Sequence, residues 1–227
     1  MRDTLRPMVA EFVGTFFLCF PGIAAIVAEA YRTGSAGGAL GIAAAHGLGL
    51  ALGITTTMAV SGGHLNPAVT IGLWSIGRID IRKAGLYILA QLLAGIAAAL
   101  AVKGLFPHMA GVVTQLGTPR LSADVSVPAG ITVEAIATFL LAFAVMGGCV
   151  DGRAHRLGGF PVGLTVLVGI LAAGPITGAA FNPARAFGPA LVSNTFTAQA
   201  IYWIGPIVGA VVAMQVYDRL LSERKES

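Results

Sequence analysis

The side chains in this sequence that could do chemistry are few, and most of them come in pairs. Asn66 sits in Gly62-Gly63-His64-Leu65-Asn66-Pro67-Ala68-Val69, and Asn182 in Gly178-Ala179-Ala180-Phe181-Asn182-Pro183-Ala184-Arg185, about half a chain later. Proline lacks an N–H and fixes φ, so Pro67 and Pro183 suit the first turn of a helix. Asparagine directly before it is a favoured N-cap. A capping asparagine accepts with its carbonyl oxygen and leaves its NH2 free to donate. One Asn-Pro-Ala alone reads as turn punctuation. Two copies, each opening an apolar segment of half membrane length, read as two half-helices whose N-termini face each other. Glu11 and Glu134 form a second pair, each followed by a threonine in the pattern Glu-x-x-x-Thr (Thr15, Thr138). A carboxylate inside a membrane segment points to function, such as a proton relay, or to a structural need for an acceptor. Arg185 stands one turn into its segment, about 4.5 Å along a helix axis, with a fixed charge and five donors. No nucleophile–base set or metal-ligand spacing is present, so no enzyme activity, metal or cofactor is expected.

The elements that hold these groups are membrane spans. The chain has 227 residues, 56% of them hydrophobic and only 11% charged, with a mean hydropathy of +0.84. That composition belongs to a membrane protein. The 31 glycines suit membrane helices, where small residues let backbones pack closely. Six stretches reach the roughly 20 apolar residues a span requires: 8–30, 38–60, 84–103, 130–150, 158–175 and 199–219. The segments 66–77 and 182–193 are too short and read as re-entrant, which a bilayer tolerates only where protein or a water-filled cavity surrounds them. The first span contains Glu11 and resembles a later segment, so it does not read as a cleavable signal. Cys19 and Cys149 lie in apolar stretches and read as packed thiols. The formal charge of +4 comes with no basic, aromatic-interleaved run, so no nucleic-acid partner is expected.

Lys and Arg set the orientation. Arg2, Arg6, Arg78, Arg82, Lys83, Arg153, Arg156, Arg219, Arg224 and Lys225 fall on one side of a six-span chain. Arg32, Lys103 and Arg120 fall on the other. The positive-inside rule places both termini in the cytoplasm, in a plasma or inner membrane. Three spans per half is an odd number, so the halves (approximately 1–115 and 125–227) have opposite topology within one channel domain. Inverted repeats of this kind put functional sites at the midplane, at the ends of broken helices.

With both motifs, the repeated Glu-x-x-x-Thr and Ala90-Gln91, the chain resembles the major intrinsic proteins, the aquaporin family, over nearly its whole length. The resemblance implies an all-α membrane fold of six tilted helices plus two re-entrant half-helices, one pore per protomer and a homotetramer in lipid. It implies a passive channel that excludes protons by the dipole logic general to aquaporin-type pores. In it, Glu11 and Glu134 accept hydrogen bonds from the re-entrant loops. Matched motif to motif, the constriction falls on His46, Ile170, Ala179 (through its carbonyl) and Arg185. A lone histidine on a glycine-rich face is ordinarily a satisfied core residue; its match beside Arg185 makes His46 pore-lining. His64 is expected at the cytoplasmic vestibule, His108 and His155 in loops.

The set His, Ile, Ala, Arg is similar to the tonoplast intrinsic proteins, while the short termini and compact loops are similar to prokaryotic members. Isoleucine where strict water channels carry a second histidine widens the constriction, so ammonia, hydrogen peroxide or urea are expected beside water. A glycerol or small-polyol facilitator is the alternative. Against it, glycerol channels carry an aspartate where this chain has Ala186, and lack the aromatic pair Tyr202-Trp203. A secondary transporter is the rival from another class; it needs a coupling-ion site, and only Glu11 and Glu134 lie deep in spans. A junction or adhesion role needs long loops, which are absent.

Overall fold

A computed structural model describes residues 2–33, 38–153 and 157–223. His155, Arg156, Arg224 and Lys225 lie outside the described residues. The chain is helical: α1 (Arg2–Thr33), α2 (Ala39–Ser61), α3 (Pro67–Ser75), α4 (Ile81–Leu105), α5 (His108–Thr114), α6 (Val127–Val145), α7 (Phe160–Thr177), α8 (Pro183–Ser193) and α9 (Ile201–Leu220). Six of these, all but α3, α5 and α8, are long and apolar enough to cross a membrane, the fourth counted through Val150. α2, α7 and α9 keep the length expected from sequence to within a residue, while three spans outrun the apolar stretches read there, α4 and the fourth span by a few residues and α1 most of all. The helix does not end where the hydrocarbon does, and Arg2 and Arg6 remain exposed on its first turns. The fourth span leaves α geometry at Met146 and closes with a π-helical turn, Met146–Val150, through Gly147-Gly148.

Packing couples the two halves. α1 lies on α2 and α4, and α6 on α7 and α9; across the molecule α4 packs on α8, α3 on α9 and α2 on α7. Each half-helix thus rests on the last span of the other half. The crossing of α4 and α8 is a contact between glycines: a Cβ on either Gly95 or Gly188 would run into the other helix's backbone. In lipid the gain comes from such van der Waals contact and not from expelled water.

The basic residues collect as the spans require. Arg78 pairs with Asp218 of α9 at 3.2 Å, and Arg153 reaches the carbonyl of Leu221 at 2.7 Å. Arg153 also bonds Asp151 and holds its carboxyl well below the usual carboxylate range. Lys103 and Arg120 stand at the opposite end with Gln115, whose amide oxygen accepts from Arg120 Nε at 2.8 Å.

Helix α5 and the short 3₁₀ turn after it, Gln115–Gly117, were not expected from sequence. Gly104, Pro107 and Gly111 break any apolar period there, and a seven-residue helix is too short to show one.

The α4–α8 crossing gives a test. Gly188→Leu should overpack that contact, at a cost of about 1–3 kcal/mol or more, and should sharply reduce monodisperse protein extracted from membranes. Gly85→Ala, whose added Cβ meets nothing within 4 Å, should leave the yield unchanged.

Candidate functional site: the meeting point of two half-helices

Both Asn-Pro motifs start helices as their residue types dictate. Asn66 accepts from Ala68 N at 2.9 Å, and Asn182 accepts from Ala184 N at 2.9 Å and Arg185 N at 3.3 Å. Each cap sits in extended backbone with proline at the next position. The sequence leaves both NH2 groups free, and here the structure corrects it. Asn66 Nδ2 donates to the Phe181 carbonyl at 2.8 Å, and Asn182 Nδ2 donates to the Leu65 carbonyl at 2.9 Å. One hydrogen of each amide is committed to the other half's loop, leaving one per asparagine for anything between them. The reciprocal bonds hold the N-termini of α3 and α8 together. From there the helices diverge: Ser75 at the end of α3 accepts from Gln215 late in α9, while Val192 and Ser193 at the end of α8 lie beside Val102 and Lys103 late in α4.

The loops entering the caps have one backbone path. Gly62, Gly63 and Leu65 have φ of +92°, +64° and +52°; Gly178, Ala179 and Phe181 have +79°, +51° and +55°. Left-handed φ is routine for glycine and costs roughly 1–2 kcal/mol at other residues. Leu65, Ala179 and Phe181 therefore carry strain, which survives only where the surroundings over-determine it.

The carboxylates supply that constraint. Glu11 accepts from His64 N at 3.0 Å, Leu65 N at 2.7 Å, Ser61 Oγ at 2.6 Å and Gln91 Nε2 at 2.7 Å. Glu134 accepts from Ala180 N at 3.0 Å, Phe181 N at 2.8 Å and Thr177 Oγ1 at 2.7 Å. Tyr87 and Tyr202 cap the ends of the preceding spans, donating to the carbonyls of Ser61 at 2.9 Å and Thr177 at 2.7 Å. Tyr202, read from sequence only as half of an aromatic pair, is thus a buried brace on the second loop.

Arg185 is 3% exposed. Its Nη1 donates to the Gly117 carbonyl at 2.8 Å, while its Nε is buried without a partner among the described residues. His46, 1% exposed, has Nδ1 at 2.9 Å from the Ile42 carbonyl. A carbonyl only accepts, so Nδ1 carries the proton and Nε2 of the neutral ring is an acceptor. That Nε2 is also buried and unpartnered. The charge of Arg185 lies within electrostatic reach of His46, of Glu134 and of Cys19. His46 thus keeps one orphaned acceptor, packed against Gly22 of α1, and Arg185 one orphaned donor. Ile170 lies on the inward stripe of α7 with Val166, Ala173 and Thr177, but unlike them is only partly buried. Ala179 N is held by Thr177 Oγ1 at 3.1 Å.

On the opposite side of the meeting point a cavity of about 230 Å³ is lined by His64, Arg78, Lys83, Leu73, Val145 and Cys149 among others. His64 bonds Thr70 at 3.2 Å and meets the Tyr87 ring edge-on at 5.1 Å. Sequence reasoning missed the Gly117 carbonyl. Its only signal was the glycine, in a loop with no periodicity.

A model of the family "Major intrinsic protein" matches residues 1–217. The chain belongs to that family. Among major intrinsic proteins it is similar to "Aquaporin TIP4-4" of Zea mays, 40% identical over 222 residues, covering 95% of this chain and 86% of the relative. It is similar to "Aquaporin TIP2-1" of Arabidopsis thaliana, 34% identical over 230 residues, covering 98% and 90%. Its fold matches the X-ray structure of the aquaglyceroporin from Plasmodium falciparum with a TM-score of 0.85, 31% identity, and 96% and 97% coverage. The family and the likeness to TIP-type aquaporins agree with what the motifs and the four matched positions imply.

The reciprocal bonds predict an ordering of stabilities. Asn182→Ala loses a cap worth about 1 kcal/mol and leaves the Leu65 carbonyl unpaired at about 1–3 kcal/mol more. Ser126→Ala, which removes only the N-cap of α6, should lose about 1 kcal/mol. Thermal unfolding in detergent measures both; equal losses would mean that the bond between the loops contributes nothing.

Proposed function

We propose that this integral, multi-pass membrane protein is a passive channel for water and small neutral solutes. The observation that carries the reading is the meeting of two half-helix N-termini with Asn66 and Asn182 at the joint. Two positive dipole ends at one level, with one free amide hydrogen on each asparagine, favour a water that accepts from both and points its own hydrogens outward. Such a water cannot pass a proton along a chain, and the same potential repels cations. Toward Arg185, a second water is proposed to accept from the guanidinium, whose fixed charge also repels cations. The proposed constriction is His46, Ile170, the carbonyl of Ala179, and Arg185; the cavity at His64 is the proposed inner vestibule.

Solute range is proposed to include ammonia, hydrogen peroxide and urea, because Ile170 offers bulk but no donor. The glycerol alternative draws on the aquaglyceroporin named above. Against it stands Ala186, fully buried beside Ala180, Ile201 and Tyr202, at the position where glycerol channels carry an aspartate. The coupling-ion site that a transporter requires is not offered by Glu11 or Glu134, whose oxygens are already taken up by the loops. The channel is proposed to be one domain of two inverted halves and not an enzyme. Its termini are proposed to lie on the cytoplasmic side of a plasma or inner membrane, a reading that the positive-inside rule supports through the arginines gathered at that end. A homotetramer is proposed from the family resemblance; apolar crevices of about 690 and 670 Å³ along α1–α2 and α6–α7 are open to neighbouring protomers or to lipid.

Stopped-flow light scattering on proteoliposomes tests the reading; water flux no faster than in empty vesicles would overturn it. Arg185→Val should retain water flux and raise proton leak at least about tenfold, the effect of losing a buried charge contribution of about 1.4 kcal/mol. Dye-loaded vesicles report the leak, and an unchanged value removes Arg185 from the barrier. Ile170→His should lower urea and ammonia passage relative to water. A constant ratio would mean that Ile170 does not border the constriction.

A further inference from the structure

Gly22 lies in the body of α1, buried and directly after Pro21. Its backbone is helical, with no left-handed φ to require glycine. Glycine within a helix costs roughly 0.5–1 kcal/mol relative to alanine, so the residue type needs another physical reason. Gly49 and Gly53 of α2 have the one usual in membranes. A Cβ on either would run into the backbone of α1, at the carbonyls of Phe17 and Gly14, so their smallness brings two helices together. Gly22 is different. The three atoms that a Cβ there would meet first all belong to the His46 imidazole: Cδ2 and Nε2 at 2.5 Å and Cε1 at 2.7 Å. The missing Cβ makes room for a side chain and not for a helix.

The imidazole is therefore held from two sides. Its Nδ1 is bonded to the Ile42 carbonyl of its own helix at 2.9 Å, and the opposite edge rests on bare α1 backbone. Nε2 has no partner among the described residues, so this second hold is one of shape alone. Cys19, one turn earlier on α1, lies within electrostatic reach of Arg185, as does His46. This stretch of α1 thus stands beside both charged and uncharged members of the proposed constriction. We propose that Gly22 is a positioning residue for His46: the hollow it leaves in α1 keeps the imidazole drawn back from the constriction and so helps decide which solutes pass. The proposal rests on the reading of His46 as part of the constriction. Gly22 itself touches no solute. Carbon contacts settle at about 3.5–4.0 Å, so a methyl group at Gly22 would drive the ring off α1 by roughly 1 Å. The ring is the part that gives, because it is the free end of a side chain, while Gly22 belongs to a helix packed on both α2 and α4.

The test is a double-mutant cycle in proteoliposomes, read as the ratio of urea to water permeability. In the otherwise native channel Gly22→Ala should lower the ratio at least about threefold, the scale of coupling between contacting residues, because a narrower opening hinders the larger solute more. His46→Ala alone should raise it. In a His46→Ala background Gly22→Ala should change the ratio little, because the ring it would displace is gone. Equal shifts in both backgrounds, or no shift in a folded single variant, overturn the proposal, since Gly22 then acts through helix packing or not at all. Should Gly22→Ala alone fail to assemble, the double variant decides: assembly with the ratio of His46→Ala upholds the proposal, and failure or a further shift overturns it. If His46→Ala by itself leaves the ratio unchanged, the reading of His46 as a constriction residue fails as well, so the two failures are distinguishable.

Discussion

A backbone N–H that leaves a helix inside a bilayer has no water to bond, and each one left unpaired costs several kcal/mol. The loops before α3 and α8 expose such groups at the membrane's centre: the N–H of His64 and Leu65 in one, of Ala180 and Phe181 in the other. Glu11 and Glu134 answer that need, each taking two loop N–H groups and a hydroxyl. With the loops fixed, residues such as Leu65 and Phe181 can hold left-handed backbone, the caps face each other, and the half-helices have defined starting points. Removing either carboxylate would loosen the loop first and the joint with it.

The two halves meet this need unequally. Gln91 adds a fourth donor to Glu11 and is itself tied to Thr70 at 3.0 Å. In the second half Pro206 and Ala186 stand where Gln91 and Thr70 stand in the first, counting from the paired tyrosines and asparagines. The loop that carries Ala179 and leads to Arg185 is therefore held by fewer bonds, and Ala179 occupies the left-handed position that Gly63 fills opposite it. The compensation comes from outside the repeat, from the Gly117 carbonyl on Arg185. Small residues do the rest: Gly95 against Gly188 brings α4 and α8 to backbone contact and so seats the second half-helix on the last span of the first half.

Much of this was legible in the residues. The spans, the half-helices and the caps follow from hydropathy and from the Asn-Pro pair, because those signals are local. The need for Glu11 and Glu134 follows from membrane physics plus the family resemblance. The cross-loop bonds were not legible: a free NH2 and a bonded one have the same sequence, and the acceptors, the Phe181 and Leu65 carbonyls, are backbone atoms in the other half. The turn at Gln115–Gly117, left-handed at each residue, was hidden for a related reason. Glutamine and leucine argue against left-handed backbone, and only the buried seat of Leu116 and the tie to Arg185 make it stable. Cys19, read as a packed thiol, is fully buried, but nothing local revealed that it lies within reach of the Arg185 charge.

The reciprocal asparagine bonds also bear on how the chain is made. Asn66 finds its acceptor 115 residues later, and Asn182 donates 117 residues back. At about 5–20 residues per second, the first three spans wait on the order of ten seconds in the membrane before the second loop is even synthesised. During that interval the first re-entrant loop has Glu11 but not the opposite cap, and α3 has α4 but not α9. Closure of the joint is thus among the last steps of assembly, and each nascent channel passes through a stage in which half of its midplane is still unroofed.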